Sequence, residues 1–234
     1  MSDSVFDKPA GITFEPAPAG THIAICTQII DLGTQHWTYL GEAKSGRKLR
    51  ITFELPDEIL KYEDADGNEV ERPFVVMGEH TVSLHEKANL RKVLESWRGK
   101  KFTDEQLEPF RKNGLAHLKG LLGVMAMVNV VHTEKGENTY ANIASISPPP
   151  KGTARREPSV EPVFFSLEPQ SFSKADLDRL SPRTKEKILK TDEYKALALQ
   201  VAKPPAKEPI KKKTPTTPDD VDLNPTAEED GLTF

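Results

Sequence analysis

The chain has 234 residues, 36% hydrophobic and 29% charged, enough for one buried core but not for order along its whole length, because polar stretches cannot offset the entropy of ordering them. No apolar run approaches the ~18 residues of a membrane span, residues 1–9 show no apolar segment of a secretory signal, and a single cysteine, Cys26, rules out an internal disulfide or a Cys-rich zinc site. The formal net charge of -4 comes in blocks, -4 over residues 1–150, +6 over 151–217 and -6 over 218–234, and charge blocks mark interaction segments more often than folded surface.

Residues 1–18 are Pro-rich and read as a flexible arm. Apolar alternation starts at Gly20, with Ile23, Ile25 and Ile29 on one face of a half-buried strand. A second strand covers Lys48 to Leu55, with Leu49, Ile51, Phe53 and Leu55 inward, and Pro56 ends it. Asp64 to Asn68 is turn chemistry, with Gly67 or Asn68 suited to positive φ. A third extended stretch runs from Arg72 to Leu84, bent near Gly78.

From Glu86 the period changes. Leu90, Val93, Leu94 and Trp97 fall on one helical face, and Gly99 stops the helix. Thr103 and Gln106 form a capping box for a second short helix reaching about Arg111. Leu121 to Val131 reads as a buried strand, Lys135 to Asn138 as a turn, and Thr139 to Ile146 as a fifth strand. The order predicts a mainly β fold: a five-stranded OB-fold Greek-key barrel over residues 19–150, with a helix between strands 3 and 4. Other small β-barrels share this coarse order.

Residues 151–200 read as a partly helical extension. Val163 to Leu167 is a short apolar patch for a sheet edge or the barrel wall. Ser173 and Ser181-Pro182 look like helix starts, and Ile188, Leu189, Tyr194 and Leu197 form a thin apolar stripe. Residues 201–234 read as a disordered Pro/Lys linker and an acidic tail.

Catalytic and metal motifs fail on spacing. Gly41 to Lys48 has Arg47 and Lys48 where a phosphate loop needs Lys and then Ser or Thr. His85-Glu86 lacks a second histidine, since Asn89 stands there. Asp64-Ala65-Asp66-Gly67 has Tyr62 and Pro73 where a calcium loop needs carboxylates. The chain therefore reads as neither an enzyme nor a cofactor or metal binder.

Three segments point to binding. Between strands one and two, Trp37 and Tyr39 precede Lys44, Arg47, Lys48 and Arg50. Rings stack on bases at ~1–3 kcal/mol each and cations neutralise phosphates, and the loop after the first strand lines the groove of an OB-fold. Next come Arg91, Lys92, Lys100 and Lys101 around the first helix, with Phe74, Lys135 and Tyr140 as further groove candidates. A solvated cationic helix face and ring packing on the barrel are the plainer readings of the same residues. The last is the tail, where Glu228, Glu229 and Asp230 precede Leu232 and Phe234, an apolar hook behind an acidic run.

That terminus is similar to the tail of bacterial single-stranded DNA-binding proteins, which join an OB-fold, a low-complexity linker and an acidic tip ending in Ile-Pro-Phe or similar. Thr233 stands where Pro is usual, and Gly231 is inserted. Separately, Val82 to Lys92 and Trp97 to Thr103, with Tyr140 to Ala144, resemble a group of small bacteriophage-encoded proteins taken to be OB-fold single-strand binders. These resemblances imply a sequence-nonspecific single-stranded DNA-binding protein of a phage replication or recombination module. It would act in the cytoplasm of the bacterial host and recruit replication or recombination proteins through its tail. The competing expectation is a replisome adaptor, whose barrel binds a partner protein and whose acidic tail mimics DNA.

Overall fold

The computed structural model describes residues 15–201 apart from 65 and 137. Strand β1 (Gly20–Tyr39) pairs antiparallel with both β2 (Glu42–Glu63) and β4 (Met125–Lys135), and β3 (Glu69–Thr81) and β5 (Asn138–Ser147) flank them. The order β3-β2-β1-β4-β5 makes a curled antiparallel half-barrel, consistent with an OB-like barrel. Its outer strands β3 and β5 approach each other without a ladder between them. Helices α1 (Asn89–Arg98) and α2 (Asp104–Asn113) and a 3-10 stretch (Gly114–Leu121) stand between β3 and β4 in the chain. No helix among the described residues is long and apolar enough to cross a membrane.

The predicted inward face of β2 is the barrel core: Leu49, Ile51, Phe53 and Leu55 are all fully buried. On β1 the expected face holds only at Ile29. Ala24 and Cys26 line the core in place of Ile23 and Ile25, because a bulge between Cys26 and Gln28 inserts one residue and resets the period; Ile25 is buried on the other side of the strand. Leu90, Leu94 and Trp97 close the core from α1. The Trp97 ring meets Phe53 edge-on at 5.0 Å, and its Nε1 donates to the Met125 carbonyl at 2.9 Å. Gly99 caps α1 in the left-handed conformation, and the Thr103–Gln106 capping box starts α2 as the sequence indicates. Strand β4 begins at Met125 rather than Leu121, because residues 114–121 coil as the 3-10 stretch.

Beyond Ile25, β1 has left β4 behind. Strand β6 (Val163–Phe165) takes that edge, running parallel to Gln28–Ile30. A second core forms around this pair. Ile30, Leu32, Val163, Phe165 and Leu167 pack with Leu177 of α3 (Lys174–Asp178), Ile188 of α4 (Pro182–Leu189) and Leu197 of α5 (Asp192–Val201). Leu189, expected in the apolar stripe, is 43% exposed. Ser173 and Ser181 cap α3 and α4 as the sequence indicates.

Charged clamps tie this region to the strands. Asp31, fully buried, accepts from Arg47 Nε at 3.1 Å, from the Gly33 N–H and from the Leu167 N–H. Glu54, also buried, accepts from the backbone and hydroxyl of Ser159. The linker and acidic tail, with Glu228, Glu229, Asp230, Leu232 and Phe234, lie outside the described residues, as does most of the N-terminal arm.

Candidate nucleic-acid interface

The site starts at the β1–β2 hairpin. Pairing continues to Tyr39 opposite Glu42, which leaves the two-residue turn Leu40-Gly41. Both turn residues have positive φ, 50° and 80°, as a hairpin turn matching strand twist requires. Leu40 is the only non-glycine among the described residues in this region, and it is 87% exposed. A leucine there costs about 1–2 kcal/mol of backbone strain, and strain of this kind concentrates at working sites.

Register then sorts the hairpin side chains onto two faces. Trp37 lies opposite Lys44, Gln35 opposite Gly46 and Tyr39 opposite Glu42, so Trp37, Tyr39, Glu42, Lys44, Gly46 and Lys48 share one face, on which Glu42 pairs with Lys44 at 3.4 Å. The Lys48 ammonium stands 4.0 Å from the Trp37 ring centroid, and that of Lys44 stands 5.1 Å from the Tyr39 ring. Lys48 also donates to Thr81 Oγ1 at 2.9 Å. Gly46 makes room for the indole, since a Cβ at that position would sit 3.3 Å from Trp37 Cη2. Tyr39 is 56% exposed and Trp37 half-buried. Lifting Lys48 off the indole costs about 0.5–1 kcal/mol, less than the ~1–3 kcal/mol that a stacked base returns. The face can therefore exchange a lysine for a base.

Two of the residues singled out in the sequence are corrected outright. Phe74 is a core residue, 7% exposed, because strand parity turns it inward against the barrel. Arg50 lies on the outer side of β2 but is buried under α4, where it donates to Thr184 Oγ1 at 3.0 Å and to Glu79. A third, Arg47, is committed elsewhere. It sits on the opposite hairpin face, bound to Asp31. Burial works against its charge, yet the Asp31 hydrogen bond and the nearby carboxylates hold its pKa above the ordinary value.

The remaining candidates do not join the hairpin. Arg91 is half-buried and paired with Glu95 at 2.9 Å, while Lys92, Lys100 and Lys101 are exposed around α1. Lys135 and Tyr140 belong to the β4–β5 hairpin, which by the β1–β4 register continues past Gly20, the far end of β1 from Tyr39. Lys135 is exposed and Tyr140 half-buried.

At the base of the Trp37 hairpin the structure adds residues that the sequence reading missed. A cleft of about 370 Å³ opens between Thr34, Gln35 and His36 of β1 and helix α4. Arg183, Thr184, Glu186 and Lys187 of α4 and its C-cap residue Lys190 line it, while Ile188 packs inward. These residues were visible in the sequence, but only the docking of α4 shows which way they point.

Burial pushes the Cys26 thiol up to about 12, against a smaller opposing pull from the Gln28 hydrogen bond, so it stays protonated and inert. Among the described residues, no group of three or more His, Cys, Asp or Glu side chains could hold a metal ion. No family model, curated protein or solved structure matches this chain.

Proposed function

We propose that this chain is a sequence-nonspecific single-stranded DNA-binding protein built on an OB-fold barrel. The observation that carries the reading is the hairpin face on which Trp37 and Tyr39 each sit beside a lysine, Lys48 and Lys44. Rings that accept any base and ammonium groups that meet phosphates give binding without sequence preference. The acidic balance of residues 1–150 would oppose a polyanion if it were spread evenly. It is not: carboxylates crowd the Asp57–Glu71 segment, and the β1–β2 hairpin is basic. The phage replication or recombination setting, the host cytoplasm and a recruiting tail at Glu228 to Phe234 belong to the same proposal. They rest on the resemblances described above.

The test is an oligo-dT titration of the full chain at several salt concentrations. The expected result is an affinity that falls with log salt at about -0.7 per phosphate neutralised. No binding at low salt would overturn the reading and favour the adaptor, whose barrel meets a protein instead.

A further inference from the structure

We propose that Leu40, at the apex of the β1–β2 hairpin, is a wedge that inserts between neighbouring bases of the strand held by Trp37 and Tyr39 and unstacks them. The inference rests on the DNA-binding reading and adds a residue and a step to it: the rings stack on bases, and the leucine parts them.

Leu40 breaks two rules at once. Its φ is 50°, and every other described residue with positive φ is a glycine. A Cβ in that conformation crowds the following carbonyl, so Gly, Asn or Asp is the ordinary choice in a two-residue turn. Leu40 is also the most exposed of the large hydrophobic residues described, at 87%. The fold gains nothing from either departure. Leu40 belongs to neither apolar core, and the turns after β2 and β4 place Gly67 and Gly136 at their positive-φ positions among polar neighbours. A side chain that strains the backbone and wets its apolar surface, with no partner inside the fold, is fitted to a partner outside it.

The neighbours of the apex identify that partner. Tyr39 precedes Leu40 in the chain and is 56% exposed, and Trp37 lies two positions behind it on the same face. Ring surface therefore leads from the indole to the tip, and the ammonium groups of Lys48 and Lys44 stand over the two rings at 4.0 and 5.1 Å. Glu42 lies exposed opposite Tyr39, and its charge turns phosphates away from the apex and toward Lys48. What meets Leu40 is then a base. A leucine has neither a π-face to stack on a base nor a group to bond its edge. It can fill the gap between two bases, as apolar side chains do when they wedge into base steps and unstack them. Tyr39 then offers its ring to a base that the wedge has freed.

The experiment titrates the full chain, Leu40→Asn and Leu40→Met with oligo-dT and with an oligo-dA carrying one 2-aminopurine, whose emission rises when its neighbours unstack. Tryptophan quenching reports contact at Trp37, since Trp97 is buried, and thermal melts report folding. Asn accepts the left-handed backbone without the apolar reach, and Met keeps the reach. Leu40→Asn should melt no lower than the unaltered chain and keep the tryptophan quench at saturation. It should bind dT on the order of tenfold more weakly, as burial of much of a leucine side chain predicts, and lose the 2-aminopurine rise, which Leu40→Met should keep. An equal rise in Leu40→Asn, or no rise with the unaltered chain, would overturn the wedge and leave the hairpin reading intact. Unchanged dT affinity in Leu40→Asn would overturn it in favour of a protein contact at the tip, and a clearly lower melting temperature would overturn it in favour of a structural role. Absence of dT binding by the unaltered chain would overturn both readings.

Discussion

Strand β2 carries a hairpin at each end, and the two are opposites. At its start, the turn at Leu40-Gly41 joins a face holding Trp37, Tyr39, Lys44 and Lys48. At its end, the turn at Asp64–Asn68 joins residues dominated by Asp57, Glu58, Glu63, Glu69 and Glu71. Both place a cation over a ring, since Arg72 sits 4.9 Å from the Tyr62 centroid much as Lys48 sits over Trp37. A cation–ring pair is therefore no mark of a nucleic-acid site on its own. What separates the hairpins is the surrounding charge and the cleft that only the first one borders.

The largest test of that contrast is the anchor of the basic hairpin. Asp31→Ala leaves Arg47 and the N–H groups of Gly33 and Leu167 without their partner. Breaking a buried ion pair from one side costs about 3–5 kcal/mol, so urea unfolding should show a loss of that size. A loss below about 1 kcal/mol, the usual range of an exposed pair, would mean that Asp31 does not secure the hairpin base.

Next is the ring itself. Trp37→Ala should weaken oligo-dT binding by about 1–3 kcal/mol, whereas Tyr62→Ala on the acidic hairpin should leave affinity unchanged in the same titration. Equal losses from both would erase the distinction drawn here.

A pH dependence sharpens the contrast from the side of the extension. The Glu79 carboxyl titrates below its ordinary value of 4.5, because Arg50 and Lys187 outweigh its burial. A depressed carboxyl contributes stability in full above its unfolded value and loses it as pH falls through the folded one. Protection of the α4 amides, relative to their intrinsic exchange at each pH, should therefore fall as pH drops below 4.5, and Glu79→Gln should remove that step. An identical acid response in the variant would place the linkage elsewhere.

The smallest effect is expected on the acidic hairpin. Glu63 and Glu69 face each other across the strands, and like charges so placed oppose pairing. Glu69→Gln should gain about 0.2–1 kcal/mol in thermal unfolding, with no gain in dT affinity beyond that of general charge.

The sequence disclosed the local signals well. Gly99, the Thr103–Gln106 box, Ser173 and Ser181-Pro182 are decided within a few residues, and each stands where it was read. The face of β2 was legible because no bulge interrupts it from Leu49 to Leu55. The face of β1 was not, since a bulge has no signature in an apolar run. Arg50 and Arg47 had the right chemistry at the right place in the chain, but their partners are Thr184, Glu79 and Asp31. Two of those lie 134 and 29 residues from Arg50, and no local pattern reveals such neighbours. Parity alone could have exposed Phe74.

The parallel docking of β6 on β1 carries a consequence for how the protein is made. Asp31, Arg50 and Glu54 emerge from the ribosome long before Leu167, Thr184 and Ser159, which lie 136, 134 and 105 residues downstream. At the usual pace of about 5–20 residues per second, these residues of β1 and β2 wait on the order of 5–30 s for those partners, with Ile30 and Leu32 bare, although Arg47 and Glu79 pair Asp31 and Arg50 within the half-barrel. The apolar face of Ile30 and Leu32 is therefore covered only once residues 163–197 have been made.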